Sequence, residues 1–254
     1  MKNRGLLIAG VISTALFLLI GFLVFSKITQ SIDAEGALWM NSGLGNTITE
    51  IMVFASTYGR EYFWIGIVAL MLIFGDTKTR ILAVELAALF VVGIAIGEAL
   101  KHIVYRARPY ETVAGIVTRV SRDTDSSFPS GHALIVSIGS AFVLVRLKHK
   151  IVSMLLTLEA AIVCYSRVYV GMHYPLDVVA GILIGVAIVF LGLFFIENFL
   201  TRPVVWIADL FDRAMKSLRL NGIAFIAKLN LLVTTEVRSV RCLQRRMDNI
   251  TSGG

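Results

Sequence analysis

Charged residues are scarce in this sequence. Of its 254 residues, 16% are Asp, Glu, Lys or Arg, whereas 57% are hydrophobic. An ordinary soluble domain has about 25% charged residues, so the composition excludes that class and predicts an integral membrane protein. The sequence also has only two cysteines, Cys164 in an apolar segment and Cys242 in a basic one, which excludes a disulfide-rich fold.

The net charge of +7 is compatible with a nucleic-acid partner, but no nucleic-acid-binding motif accompanies it, and we expect none. Much of the surplus lies in residues 201–254, where apolar and basic residues alternate. This is typical of an amphipathic segment on the inner leaflet, whose anionic lipids attract Lys and Arg. An extension docked on the membrane domain explains the pattern equally well. We therefore divide the chain into a membrane domain, residues 1–200, and a basic cytoplasmic tail, residues 201–254.

Six apolar stretches are candidates for membrane-spanning helices, each of which needs about 20 residues. They are Leu6–Phe25, Tyr62–Gly75, Ile81–Val104, Ala133–Leu147, Ile151–Val170 and Leu176–Ile196. The second and fourth are short, and we expect them to extend into polar flanks, with Arg60 and Arg146 reaching the membrane interface. No small-residue cleavage site follows the first stretch, so we expect a retained span. Residues 28–58 mix polar and apolar side chains and predict a loop with one interfacial helix.

The predicted fold class is therefore all-α, a polytopic bundle of six transmembrane helices. Lys and Arg in short loops favour the cytoplasmic side and so predict the orientation. The basic residues that fall on one side of a six-span count are Lys2, Arg4, Lys78, Arg80, Arg146, Lys148 and Lys150. Both chain termini are then expected in the cytoplasm. The connection between spans three and four is an exception, since it is basic although it must lie outside. Cations that bind a substrate would explain this exception.

Three polar blocks interrupt the apolar sequence between residues 101 and 177. The first has the pattern K-x6-R-P, the second P-S-G-H and the third S-R-x5-H-x3-D. Their candidate functional residues are Lys101, Arg108, Ser130, Gly131, His132, Arg167, His173 and Asp177. In a six-span topology all of them lie at helix ends on the outer side. The blocks together predict an anion-binding site at that membrane face.

The basic residues of the blocks suit a phosphate group. Lys101 and Arg108 are seven residues apart, close to two helical turns, and would share a helix face. Arg167 adds a third cation, and guanidinium groups bind phosphate oxygens through paired N–H donors. Arg106 and Arg119, which lie nearby but outside the patterns, are interpreted as membrane-interface anchors.

The P-S-G-H block predicts the beginning of a helix that binds an anion. Ser130 follows Pro129 and would open the helix, where unpaired amides and the helix dipole favour a negative charge. Gly131 would let an oxyanion approach the backbone, and its amide and that of His132 would donate to it.

The third block predicts a histidine nucleophile. Asp177, four residues after His173 and beyond Pro175, would accept a hydrogen bond from one ring nitrogen and leave the other free to attack. His132 is placed to protonate a leaving group. A metal site is another use of two histidines and an aspartate. The neighbouring cations would repel a divalent ion and already neutralise a phosphate, so we expect neither metal nor cofactor.

The three blocks resemble the signature motifs of the type 2 phosphatidic acid phosphatase superfamily, whose members include polyprenyl-pyrophosphate phosphatases. The resemblance covers residues 101–177, and every signature position is filled. It implies a six-helix, metal-independent membrane phosphatase in which His173 forms a phosphohistidine, Asp177 orients it and His132 protonates the leaving group. By motif position, the residues implied to hold the phosphoryl oxygens are Lys101, Arg108, Ser130, Gly131 and Arg167.

We expect hydrolysis of a lipid phosphate or pyrophosphate at the outer face of the cell membrane. A polyprenyl pyrophosphate is the first choice, and phosphatidate or phosphatidylglycerol phosphate the second. The lipid tail would enter from the bilayer through an apolar opening beside span three or four. The intramembrane carboxylates Glu85, Glu98 and Glu159 favour a different class, a lipid-phosphate transporter, although Glu98 lies one turn from Lys101 and would pair with it. Binding alone requires no nucleophilic histidine, which favours the enzyme.

Overall fold

The structure is a computed structural model and describes residues 2–218. Within this range the chain forms helices and no strand. In chain order, the α-helices up to Phe195 are α1 (Lys2–Phe25), α2 (Gln30–Asn41), α3 (Asn46–Tyr58), α4 (Glu61–Phe74), α5 (Thr77–Ile103), α6 (Pro109–Thr112), α7 (Gly131–Arg146), α8 (Lys150–Tyr169) and α9 (Pro175–Phe195). A π-helical segment, Ile196–Leu200, follows α9. The predicted all-α fold is confirmed for the described residues.

The chain divides into two compact units, residues 1–208 and 209–254. The first contains helices α1 to α9. Of the second, residues 209–218 are described and are helical, and Lys216 Nζ lies 2.7 Å from Asp212 Oδ2 within it. Most of the predicted amphipathic tail lies outside the described residues, so its place on the inner leaflet stays a prediction.

Helices form at each of the six predicted spans. Helices α1, α5, α8 and the one that begins at Pro175 are long and apolar enough to cross a membrane. Helices α3 and α4 meet at a bend of 57° and would together supply a fifth crossing. Helix α7 is apolar but has only 16 residues, fewer than the ~20 of a typical span. The protein is therefore a multi-pass membrane protein, and the count of six crossings stays a prediction.

The structure differs from the loop and single interfacial helix predicted over residues 28–58. Two helices, α2 and α3, fill this segment, and the break between them includes Gly45, whose φ is +89°. Two of the polar residues that suggested a loop are interior ones, since Asp33 is 2% and Asn41 4% exposed. Asn41 Nδ2 donates to Val117 O at 2.9 Å and to Tyr169 O at 2.8 Å. These side chains satisfy buried backbone groups, a role that hydropathy alone does not distinguish from exposure.

Helix α7 is the central element of the bundle. All its residues from Ala133 to Val143 are buried, and it packs on α5, α8 and α9. Helix α9 approaches closely because Gly181 has no side chain: a Cβ there would lie 2.5 Å from Ser130 O. Ser130 N also donates to Asp177 O at 3.0 Å. The beginnings of α7 and α9 are thereby fixed side by side, which determines the geometry of the polar site.

Arg146, at the other end of α7, forms two ion pairs, and its predicted place at the membrane interface stays a prediction. Its Nε lies 3.0 Å from Glu85 Oε2 and its Nη1 2.8 Å from Glu197 Oε1. These pairs connect α7 with α5 and with the π-helical segment. Glu85, one of the carboxylates that favoured a transporter, therefore has a structural partner.

Candidate functional site

A polar cavity of about 480 Å³ lies where α5, α7 and α8 end or begin and where α8 connects to α9. The predicted site residues that line it are Lys101, Arg108, Gly131, His132, Arg167 and His173. The other two, Ser130 and Asp177, adjoin it and are fully buried. The structure thus brings the eight predicted residues, which span three separate sequence blocks, around one cavity.

His173 is held in a defined tautomer. Its Nδ1 lies 2.8 Å from Ser127 O, and because a carbonyl oxygen can only accept, Nδ1 carries the proton and Nε2 the lone pair. Nε2 lies 3.5 Å from Arg108 Nη1. Burial, together with the charges of Arg167 and Arg108, lowers the pKa of His173 well below its usual value. The ring is therefore neutral at pH 7, the state that a nucleophile requires.

The predicted hydrogen bond between His173 and Asp177 is wrong. Asp177 Oδ2 lies 3.8 Å from His173 Nδ1, beyond hydrogen-bond distance. It accepts instead from Ser127 Oγ at 2.5 Å and from Tyr174 N at 2.9 Å. Asp177 is the third residue of α9 and receives the amide of the residue that caps this helix, which directs its carboxylate away from the ring. Ser127, which the sequence analysis missed, connects the two residues through its carbonyl and its hydroxyl.

Arg106 is a buried structural cation, not the interface anchor that the sequence suggested. It forms ion pairs with Asp177 and, at 2.6 Å, with Asp33 Oδ2, and both carboxylate side chains have 0% exposure. Its guanidinium carbon stacks 3.9 Å from the centre of the Tyr174 ring. Burial opposes the charge, but Asp177 and Asp33 outweigh it and raise the pKa of Arg106. This triad attaches α2 to the beginning of α9 and fixes the carboxylate beneath the site.

Two acidic residues that no sequence pattern indicated form ion pairs with the predicted phosphate-binding cations. Asp125 forms ion pairs with Lys101 and Arg108. Asp123 Oδ2 lies 3.4 Å from Arg108 Nη2 and 3.7 Å from Arg167 Nη2. Burial opposes the ionisation of Asp125, but hydrogen bonds from Lys101 and Arg108 outweigh it and lower its pKa to about 2. The carboxylates of Asp123 and Asp125 therefore contact the same cations that would bind the phosphate oxygens of a substrate.

The remaining predicted residues occupy the beginning of α7 and the end of α8. Ser130 is the N-cap of α7, as predicted, and its Oγ accepts from Ala133 N at 3.4 Å. Its hydroxyl thus serves the helix, while Gly131 and His132 line the cavity. Arg167 Nη1 donates to Ser56 Oγ at 2.6 Å, so that α3 fixes the direction of this guanidinium.

Among residues 2–218, no three His, Cys, Asp or Glu side chains are grouped so that they could hold a metal ion. Metal-independent activity stays a prediction.

A multi-pass helical bundle that holds a neutral histidine beside three cations defines a membrane phosphatase. Comparison with known proteins specifies the family. Residues 79–200 match the PAP2 superfamily, the family of type 2 phosphatidic acid phosphatases. An undecaprenyl-diphosphatase of Sulfolobus acidocaldarius is 42% identical over 183 residues, which cover 69% of this chain and 87% of that protein. The chain belongs to the PAP2 superfamily.

Two further proteins of Bacillus subtilis are similar to this chain. Undecaprenyl-diphosphatase BcrC is 30% identical over 164 residues, which cover 63% of this chain and 80% of that protein. The crystal structure of a transmembrane PAP2-type phosphatidylglycerolphosphate phosphatase has a TM-score of 0.63 at 23% identity, covering 75% of this chain and 96% of that one. At this identity the likeness shows the fold. The predicted membrane phosphatase of this superfamily is thus confirmed.

Proposed function

We propose that this protein hydrolyses a polyprenyl pyrophosphate to the monophosphate and inorganic phosphate, through a phosphohistidine on His173, at the outer face of the membrane. The observation that carries this proposal is the hydrogen bond from His173 Nδ1 to Ser127 O. It leaves the Nε2 lone pair available beside the cations of the cavity. The 42% identity to an undecaprenyl-diphosphatase supports a lipid pyrophosphate as the substrate.

In the first step Nε2 of His173 attacks the terminal phosphorus of the substrate. The bond from this phosphorus to the bridging oxygen breaks, and its electron pair stays on the bridging oxygen of the departing lipid monophosphate. Lys101, Arg108 and Arg167 stabilise the charge on the phosphoryl oxygens. Burial and the charges of Arg167 and Arg60 lower the pKa of His132 in the structure. Its imidazolium therefore forms when the anionic pyrophosphate binds, and it then donates a proton to the bridging oxygen.

In the second step water releases the phosphoryl group. The phosphorylated ring of His173 is positively charged and keeps its hydrogen bond to Ser127 O. The carboxylate of Asp177, 3.8 Å from Nδ1, stabilises this charge across the short distance. The oxygen of water bonds to phosphorus while the N–P bond breaks, and the electron pair of the N–P bond returns to Nε2. His132, neutral after the first step, takes a proton from this water, and inorganic phosphate leaves.

An apolar cavity supports the binding of the part of the hydrocarbon tail nearest the pyrophosphate. A cavity of about 150 Å³ between α4, α5 and α7 has apolar walls that include Trp64, Phe90 and Leu134, and Lys101 lies at its polar end. It adjoins the third and fourth predicted spans, where the sequence predicted an apolar opening. Gly97 keeps it open on the α5 side, since a Cβ there would lie 3.3 Å from Leu134 Cδ1.

The decisive experiment is phosphate release from a polyprenyl pyrophosphate in detergent micelles by wild type and His173→Ala. We expect the variant to lose at least about 10³-fold in rate, because its nucleophile is missing. His149→Ala is the matched control, since His149 is exposed and precedes α8 at the end opposite Arg167. A label from terminally labelled substrate should be trapped on wild type and not on the variant. Near-normal activity of His173→Ala would refute the mechanism.

The same micelle assay tests metal independence and the substrate class. We expect unchanged turnover in excess chelator, and a strict requirement for added magnesium would contradict the mechanism. A panel of polyprenyl pyrophosphate, phosphatidate, phosphatidylglycerol phosphate and a soluble sugar phosphate ranks the substrates. We expect the pyrophosphate to have the highest kcat/KM.

A lipid-phosphate transporter stays the alternative from another class, and one observation favours it. Both carboxylate oxygens of Glu159, within α8, are buried, and the indole N–H of Trp64 is the donor that faces them. The other carboxylates have partners: Glu85 pairs with Arg146, and Glu98 Oε1 lies 3.8 Å from Lys101 Nζ, as predicted. Phosphate release in micelles separates the classes, because a transporter breaks no bond and micelles offer no second compartment.

A further inference from the structure

Arg60 lies outside the three motifs, at the bend between α3 and α4. The sequence suggested a membrane-interface anchor, but the side chain is only 27% exposed. Its Nη1 lies 3.4 Å from the position that a Cβ on Gly131 would take, and Lys101 Nζ lies 3.7 Å from the same point. The guanidinium of Arg60 therefore joins the cations at the beginning of α7, although it comes from a different part of the chain.

Three cavities meet at Arg60. It lines the catalytic cavity, the apolar cavity between α4, α5 and α7, and a further polar cavity of about 280 Å³ that it shares with His132, Arg167 and Ser56. A lipid pyrophosphate with its terminal phosphate at His173 and its tail in the apolar cavity must place its inner phosphate between them. Among residues 2–218, the cations that line both of these cavities are Arg60 and Lys101, and the proposed reaction already uses Lys101 for the terminal phosphate.

The guanidinium of Arg60 is available to a ligand. It pairs with Glu61, the next residue, whose side chain is 56% exposed, and ion pairs with an exposed partner are weak because water competes with them. Arg106 provides a contrast, since two carboxylates with 0% exposure hold it in place. An incoming phosphate can therefore displace Glu61 from Arg60, while Arg106 is committed to the fold.

We propose that Arg60 binds the inner phosphate of a lipid pyrophosphate and makes the enzyme prefer pyrophosphates to monophosphate esters. This inference rests on the function proposed above. When the bond to the terminal phosphorus breaks, negative charge develops on the inner phosphate, and a guanidinium binds two of its oxygens through parallel N–H donors. A monophosphate ester such as phosphatidate has an uncharged ester group at the same place and gains little from this cation.

The test compares wild type with Arg60→Met and Arg60→Lys on a polyprenyl pyrophosphate and on phosphatidate in the same micelles. For Arg60→Met we expect kcat/KM to fall about 10- to 100-fold for the pyrophosphate and by less than about threefold for phosphatidate. Arg60→Lys keeps the charge but not the paired donors, so we expect an intermediate loss. Arg122→Met is the matched control, since Arg122 lines the catalytic cavity but not the apolar one; it should affect both substrates equally.

A second readout requires no turnover. Binding of methylenediphosphonate and of inorganic phosphate is measured by thermal shift of the purified protein, and Arg60→Met should weaken the first much more than the second. An unchanged preference for pyrophosphate in both Arg60 variants overturns this proposal and leaves the proposed function intact. If wild type releases no phosphate from the pyrophosphate, the proposed function fails, and the thermal shifts still decide the role of Arg60. If Arg60→Met does not fold, Arg60→Lys decides by the same comparison.

Discussion

Replacement of Asp125 by Asn should strengthen the binding of phosphate. In the structure the Asp125 carboxylate pairs with Lys101 and Arg108, two of the cations that the proposed reaction needs for the phosphoryl oxygens. A phosphate must break both pairs before it can occupy the same cations. Asn keeps the size of the side chain and removes its charge, so that this competition ends.

The magnitude follows from the exposure of the pairs. The Asp125 side chain is 42% exposed, against 11% for Lys101 and 2% for Arg108, so water screens both pairs from one side. Partly exposed ion pairs contribute about 0.2–1 kcal/mol each, and two of them about 0.4–2 kcal/mol. The inhibition constant of inorganic phosphate should therefore fall by roughly 2- to 30-fold in Asp125→Asn.

The assay measures inhibition by inorganic phosphate at fixed lipid substrate. Because the pKa of Asp125 is about 2, its carboxylate stays ionised, and the ratio of the two inhibition constants should be constant from pH 8 to pH 5. Asp76→Asn is the control: Asp76 caps α5 at its other end and accepts from Thr79 N at 2.8 Å. An unchanged or larger inhibition constant in Asp125→Asn would refute the reasoning. It would mean that Asp125 holds Lys101 and Arg108 in position for phosphate and does not compete with it.

Three more predictions follow from the buried groups and the orientation. Arg106→Gln leaves two buried carboxylates without their cation, so unfolding should be easier by about 3–5 kcal/mol; an unchanged thermal midpoint in detergent would contradict this. Because burial and the charges of Arg167 and Arg108 lower the pKa of His173, protonation of this ring should not reduce kcat/KM near pH 6.5. The free energy of unfolding should decline below that pH, since only the unfolded histidine then binds a proton; a thermal midpoint as high at pH 5 as at pH 7 would be the contrary result. In a background without native cysteines, Thr124→Cys should react with an impermeant maleimide added to intact cells and Lys148→Cys should not; the reverse pattern would place the site in the cytoplasm.

The convergence of the motifs was predictable because it depends on helix ends. Each block adjoins an apolar stretch, and the parity of the spans sets the side on which it lies. The cap of α7 by Ser130 and the pair of Glu98 with Lys101 are contacts within three residues, so local spacing sufficed for both. Sequence patterns of this kind report local geometry well.

The partners of Asp177 were not predictable in the same way. Arg106 lies 71 residues before Asp177 and 73 after Asp33, and no periodicity connects residues at such distances. The sequence suggested the shortest connection, from Asp177 to His173, but the N-terminal turn of α9 already uses that carboxylate. Asp33 and Asn41 were hidden for a related reason, since a polar residue inside a bundle and one in a loop have the same hydropathy. Arg60 was misjudged because its inward direction depends on the bend between α3 and α4.

The carbonyl oxygen of Ser127 determines how long the phosphohistidine of the proposed reaction lasts. A carbonyl accepts a hydrogen bond but takes up no proton at neutral pH, so the phosphorylated ring keeps both its N–H and its positive charge. A cationic ring leaves phosphorus more readily than a neutral one. The intermediate is therefore short-lived, and the site is suited to rapid turnover and not to storing a phosphoryl group for transfer to another protein.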